Sequence, residues 1–265
     1  MHDATKVLLG STQSTAKSVS VYSSDPATYI AGLAVSQSST AGVLSLLKSD
    51  GVRIGISLGK SLSDTTKTAV VRSGEAVPLK LALKRGSGNV TITNYTNLLT
   101  TTPDSVTIGA TVFTAQSTAV TLGDATFRAA TSNDATATSL AAQINGHATA
   151  GALVKAVAAS AVVNLYARNG GAAGNIALAY TDNGGGNIGA TVSGATLTGG
   201  SDTISDINYV TKGAKAYIND FNGLGDFSTT ESTVSDCIYV SGVLTGIDEA
   251  GNSVPCALVD MPGGI

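Results

Sequence analysis

The sequence lacks tryptophan altogether, and over 265 positions it has two histidines, two cysteines, 12% charged residues and 5% aromatic residues. Each shortage excludes something. With no Trp and few other rings, there is little to build a sugar-stacking platform from. His2 and His147 lie far apart in the chain, and Cys237 and Cys256 lack C-x-x-C spacing. That leaves no metal-ligand cluster, so neither metal nor cofactor is expected. The basic residues are scattered, without a cluster or interleaved aromatics, which argues against nucleic acid as a partner. The longer uncharged stretches, such as residues 135–154, contain Thr, Asn, Gln and Gly, so no bilayer span and no membrane partner is expected. Val7-Leu8-Leu9 is too short for the apolar core of a secretory signal, which points to a protein made in a cytosol.

What is abundant is 43% hydrophobic content and 31 glycines, with Ala, Ser and Thr filling much of the remainder. This is enough for a core, and it favours strands and turns over long amphipathic helices, which would need more Leu, Glu and Lys. The charge is uneven. Residues 1–90 hold ten Lys or Arg against five Asp or Glu, and residues 201–265 hold two against nine, within a net charge of −3. Such a split suits contacts between copies or with a charged assembly, and it equally suits a solvated surface.

A repeat organises the ends of the chain. Gly51-Val52-Arg53-Ile54-Gly55-Ile56 returns as Gly242-Val243-Leu244-Thr245-Gly246-Ile247. Likewise, Gly74-Glu75-Ala76-Val77-Pro78-Leu79-Lys80-Leu81 returns as Gly251-Asn252-Ser253-Val254-Pro255-Cys256-Ala257-Leu258. Two patterns in one order read as related strand–turn–strand halves. Pro78 and Pro255 predict an edge strand or a bulge, because proline cannot donate to a ladder. Cys237 and Cys256 fall on the first and third strands of an expected meander, roughly 9 to 10 Å apart. That exceeds the reach of a disulfide, about 7 Å between Cα atoms, so both read as small buried hydrophobes.

Between the copies the character changes. Residues 106–113 alternate with period two, residues 125–129 can pair with them, and Asn133-Asp134 opens a helix carrying Ala137, Leu140, Ala141 and Ile144, which Asn145-Gly146 stops. Residues 153–168, 175–181 and 190–197 read as strands joined by Gly-rich turns. The expectation is a mainly β protein: a base domain built from two related β halves, with an inserted α+β domain. The base comprises residues 1–102 together with 201–265, residues 1–28 being a candidate N-terminal arm or a first edge strand. The insert comprises residues 103–200.

Two motifs imitate chemistry. Gly55-Ile56-Ser57-Leu58-Gly59 matches G-x-S-x-G, but a nucleophile elbow needs a helix after the serine and an acid and a histidine in order, whereas a polar loop is expected over residues 57–67. Gly184-Gly185-Gly186-Asn187-Ile188-Gly189 matches G-x-G-x-x-G, but a strand rather than a helix is expected next. Asp248 and Glu249 fall in an expected turn, and His2-Asp3 lies at an exposed end. No catalytic residue, cofactor-binding residue or metal ligand is assigned, and a non-enzymatic protein is expected.

The stretch 135–145, then Ala172-Ala173-Gly174-Asn175, then residues 190–200 resembles a module of tailed-bacteriophage structural proteins. Lys48-Ser49-Asp50-Gly51, Val77-Pro78 and the strand–turn pattern after Gly213 resemble the decoration, or cement, proteins of phage heads. The resemblance implies a β-barrel-like base domain and a virion protein that binds and stabilises the outer surface of a capsid, with the major capsid protein as partner and a homo-oligomer, a trimer, as its form. A tail-tube or other tail structural protein would share the β-rich, cysteine-poor composition. A fibre or carbohydrate-binding module is the third reading, which the lack of Trp disfavours.

Overall fold

A computed structural model describes residues 6–8, 15–24, 32–37, 43–45, 53–60, 66–204, 213, 215–218, 224–226, 237–239, 241–248 and 251–261. The chain forms two compact units, Leu83–Thr203 and Met1–Ala82 joined with Ile204–Ile265. Strands dominate. In order they are β1 (Lys6–Leu8), β2 (Thr15–Tyr22), β3 (Ala34–Gln37), β4 (Leu44–Ser45), β5 (Arg53–Lys60), β6 (Thr68–Lys80), β7 (Ser87–Ile92), β8 (Ser105–Ile108), β9 (Thr111–Gln116) and β10 (Thr126–Arg128). Helices α1 (Asn133–Gly146) and α2 (Ala148–Leu153) follow, then β11 (Val154–Ala159), β12 (Val162–Ala167), β13 (Leu178–Thr181) and β14 (Ala190–Val192). The chain closes with β15 (Lys215–Ile218), β16 (Gly225–Asp226), β17 (Cys237–Tyr239), β18 (Leu244–Ile247) and β19 (Ser253–Met261). The protein is mainly β.

In the unit built from the two ends, β6 is the hub. Its first half is paired by β2 and by β5, Val71 lying opposite both Val19 and Ile56. Its second half pairs antiparallel with β19, Pro78 opposite Leu258 and Lys80 opposite Cys256. The two repeated Val-Pro tracts therefore lie in neighbouring strands. The hairpins that carry the copies differ in register, however. Gly246 faces Val254 in the second, whereas in the first Ile56 faces Val71, several residues short of Val77. Among the described residues the strand path runs from β16 to β4 without closing, so the expected barrel is an open sheet. Among the described residues an isolated bridge joins Leu81, just past β6, to Gly225.

Three further expectations change here. Pro78 is in neither an edge strand nor a bulge. The N–H of Lys80 points to Gly32 O (2.8 Å) and that of Leu81 to Pro255 O (2.9 Å), so by alternation position 78 faces away from β19 and its missing N–H costs no β6–β19 bond. Pro255 lies opposite Leu81, past the end of β6, and contributes its carbonyl. The meander is not formed either: β17 and β18 both pair directly with β19. Finally, over Thr15–Tyr22 the arm reading gives way to the other one, a strand, which pairs with β6 alone among the described residues, and β1 pairs parallel with β18. Residues 48–51 and 262–265 lie outside the described residues.

The unit Leu83–Thr203 begins before Pro103, the expected entry, because β7 is an interior strand of its sheet. The order there is β11-β12-β7-β14, all antiparallel, and a second sheet runs β10-β9-β8-β13, with β10 and β9 parallel. Val90 and Ile92 of β7, Phe113 of β9, Phe127 of β10, Leu165 of β12 and Leu140 and Ile144 of α1 are all buried in one apolar cluster. The period-two burial of β9 and β12 puts alternate side chains into it. A full burial of a Phe or Leu contributes about 1.5 to 3 kcal/mol, so removing β7 would both break a ladder and open this core.

Candidate functional site

Ser57 lies within β5, fully buried, and the strand continues to Lys60. Its backbone is tied to a neighbouring segment, its N–H donating to Leu33 O and its carbonyl accepting from Gly32 N, both at 2.8 Å. A nucleophile elbow exposes its serine at a strand-to-helix turn, so this serine is a core residue. Residues 57–60 of the expected polar loop are strand, and residues 61–65 lie outside the described residues.

The G-x-G-x-x-G segment is a packing loop. A Cβ at Gly184 would stand 1.9 Å from Thr100 Oγ1, and one at Gly189 would stand 2.6 Å from Leu98. These two glycines let the loop approach the turn Asn97–Leu99, and β14 rather than a helix follows them. The loop is fastened by Asp104, which is fully buried. One Asp104 oxygen accepts from the Tyr180 hydroxyl, and the other accepts from Asn183 N (3.0 Å). Tyr180 in turn accepts from Gly189 N (2.9 Å). Burial, and then the hydrogen bond to Asp104 and its charge, push the Tyr180 hydroxyl up to about 12. Asp182 accepts from Gly185 N (2.8 Å) and Gly186 N (2.9 Å), completing the loop with bonds inside itself.

His147 joins α1 to α2. Its Nδ1 accepts from Thr149 N (3.2 Å) and Ala150 N (3.3 Å), and its ring meets Phe113 edge-on at 5.5 Å. It is a helix cap with an aromatic neighbour. Asp248 makes the β18–β19 turn, its carboxylate accepting from Asn252 N (2.8 Å). Cys256 is a buried free thiol, 3.6 Å from Leu244 O, and burial pushes it up to about 12. Cys237 starts β17, the strand beside β19, where Ile238 lies opposite Asp260, so the two cysteines sit on neighbouring strands, Cys256 several register positions away, rather than across a meander. His2, Asp3 and Glu249 lie outside the described residues. Among the described residues no group of His, Cys, Asp and Glu could hold a metal, and no helix is long and apolar enough to cross a membrane.

Three asparagines act as backbone clamps. The Asn145 amide accepts from Ala156 N (2.9 Å) and donates to Ala156 O (2.8 Å), closing the outer edge of β11 as a neighbouring strand would. Asn175 does the same at Gly200, with distances of 2.9 and 3.1 Å. Asn133 accepts from Tyr95 N (2.9 Å) and donates to Thr93 O (3.0 Å).

Sequence reasoning missed a concavity of about 370 Å³ beside α1, lined by Ala119, Val120, Arg128, Thr131, Thr138 and Ser139 among others. The chain reaches it through Thr131 in a left-handed conformation (φ 69°). Its hydroxyls are positioned by the backbone: Thr138 donates to Asp134 O (2.9 Å), Thr131 donates to Ala130 O, and Ser139 Oγ accepts from Arg128 N (2.9 Å). Arg128, one of few cations in this half of the chain, was the available signal. Comparison with models of protein families, with characterised proteins and with solved structures finds no match to this chain.

Proposed function

We propose that this chain is a non-enzymatic structural protein of a tailed-bacteriophage virion that binds the outer surface of the capsid as a decoration protein. The observation that supports this reading is the placement of the flanking segments that resemble such proteins. The repeated Val-Pro tracts of the two chain ends lie side by side in one sheet, in β6 and β19. The residues that imitated enzyme motifs support it too, since Ser57 is a core residue and Gly184 and Gly189 are packing positions. The partner is the major capsid protein, and the protein acts as a homo-oligomer.

The test is an averaged image of intact particles, made with and without this protein, combined with particle binding measured from low to high salt. Density on the outer shell is expected, with binding that weakens as salt screens charges beyond about 10 Å. Density confined to the tail would replace this reading with a tail structural role. Absence from particles would reject both.

A further inference from the structure

We propose that the concavity beside α1 is a binding site for a small ligand carrying a single carboxylate and a compact apolar body. At about 370 Å³ it lies in the size range of small-molecule sites, and its wall combines methyl groups with a few placed polar atoms. Among the described residues, no hydrogen-bond or ion-pair partner occupies the guanidinium of Arg128. An uncommitted guanidinium presents a planar fork of donors that matches a carboxylate two-to-two.

The hydroxyls define what else the ligand meets. Thr138 and Thr131 spend their protons on backbone carbonyls, so they present acceptor lone pairs, while Ser139, which accepts from Arg128 N, keeps its proton to donate. Ala119, Val120, Ala130 and Ala135 supply the apolar wall. Ala135 and Thr138 belong to the first turns of α1, where the Asp134 carboxylate offsets the helix's partial positive charge, so the attraction for an anion rests on Arg128. A single cation favours a monoanion over a phosphate dianion, which would bring a second charge with no partner. Thr131 holds a backbone conformation that non-glycine residues rarely take, and here it sets the position of the wall.

The test uses the full chain and follows backbone amide signals during titration with isobutyrate, isobutyramide and inorganic phosphate. Isobutyrate is expected to shift the signals of residues 119–120, 128–131 and 135–139 saturably, with isobutyramide and phosphate each weaker by about tenfold or more. Arg128→Gln should lose about tenfold in isobutyrate affinity, and Arg128→Lys should keep part of it. Arg128 is exposed, so an unchanged melting temperature checks that the variants are folded. No saturable shift, equal binding of the amide, or full affinity in Arg128→Gln would overturn the proposal. Tighter binding of phosphate than isobutyrate would overturn the carboxylate assignment. None of these outcomes bears on the virion reading.

Discussion

The two units of this chain are held together differently. Residues 83–203 contain five Lys or Arg and five Asp or Glu, whereas the flanking residues contain ten and thirteen and so carry the entire net charge of −3. The neutral unit fastens its backbone with polar side chains: Ser132 and His147 cap helices next to them, Asn145 clamps β11, and Asn133, Asn175 and Asp104 reach segments 25 to 79 residues away. The described residues of the flanking unit hold such clamps too, Ser24 accepting from Leu44 N (2.9 Å) and Ser241 from Leu258 N (2.9 Å), and this unit joins the two ends of the chain by pairing β6 with β19 and β1 with β18. Side-chain clamps satisfy backbone groups that would otherwise be stranded. Long-range ladders must first close a loop through the other unit. That closure costs only about 0.6 kcal/mol per doubling of length, but it slows folding.

If the units are independent, damage to one should leave the other's unfolding transition in place. The largest effect is expected from Phe113→Ala, which empties the centre of the neutral unit and should cost it about 3 to 5 kcal/mol. In calorimetry one transition should fall and the other hold. Cys256→Ser places a hydroxyl in the buried flanking sheet and should lower only the other transition, by about 1 to 3 kcal/mol. Asn145→Ala strands both polar groups of Ala156, for about 1 to 3 kcal/mol, and hydrogen exchange at Ala156 should accelerate. His147→Ala should cost about 1 kcal/mol, and His147→Asn should recover most of it by restoring the cap, both read from denaturant midpoints. Joint loss of both transitions in any of these variants would contradict the separation.

The smallest effect is electrostatic. The Tyr180 hydroxyl is raised from 10.0 to about 12 in the folded unit, so the folded state resists its ionisation. That contribution is complete below pH 10 and disappears as pH rises toward about 12. Tyr180→Phe should flatten this alkaline loss in the neutral unit, and phenolate absorbance should show one late-titrating tyrosine fewer.

Much of this contrast was legible in the sequence, and the failures have physical causes. The helix over residues 133–146 was marked by apolar spacing and by Asn145-Gly146, although Ser132 supplies the cap rather than Asn133 or Asp134. Residues 106–113 read as one strand but fold as a hairpin at Gly109 (φ 59°), and residues 153–168 fold back at Ser160 (φ 51°). Ser160-Ala161 carries no Gly or Asn to announce a turn. The boundary was misplaced because β7 has too few apolar residues to stand out, yet it pairs on both sides. The absence of an enzyme motif context at Ser57 was readable, but its complete burial was not, so Ser57→Ala is a packing change rather than a silent one. The Arg128 concavity is made by residues from three segments, and a lone arginine among few cations was its one mark in the sequence.

The central claim is that the neutral unit is a self-sufficient module that begins at Leu83 because β7 is an interior strand of it. Amide dispersion and cooperative unfolding of two fragments, residues 83–203 and residues 103–200, test this most directly. The account predicts a dispersed spectrum and a single sharp transition for 83–203, and a collapsed or unfolded spectrum for 103–200. A well-folded 103–200 fragment, or an unfolded 83–203 fragment, would contradict it.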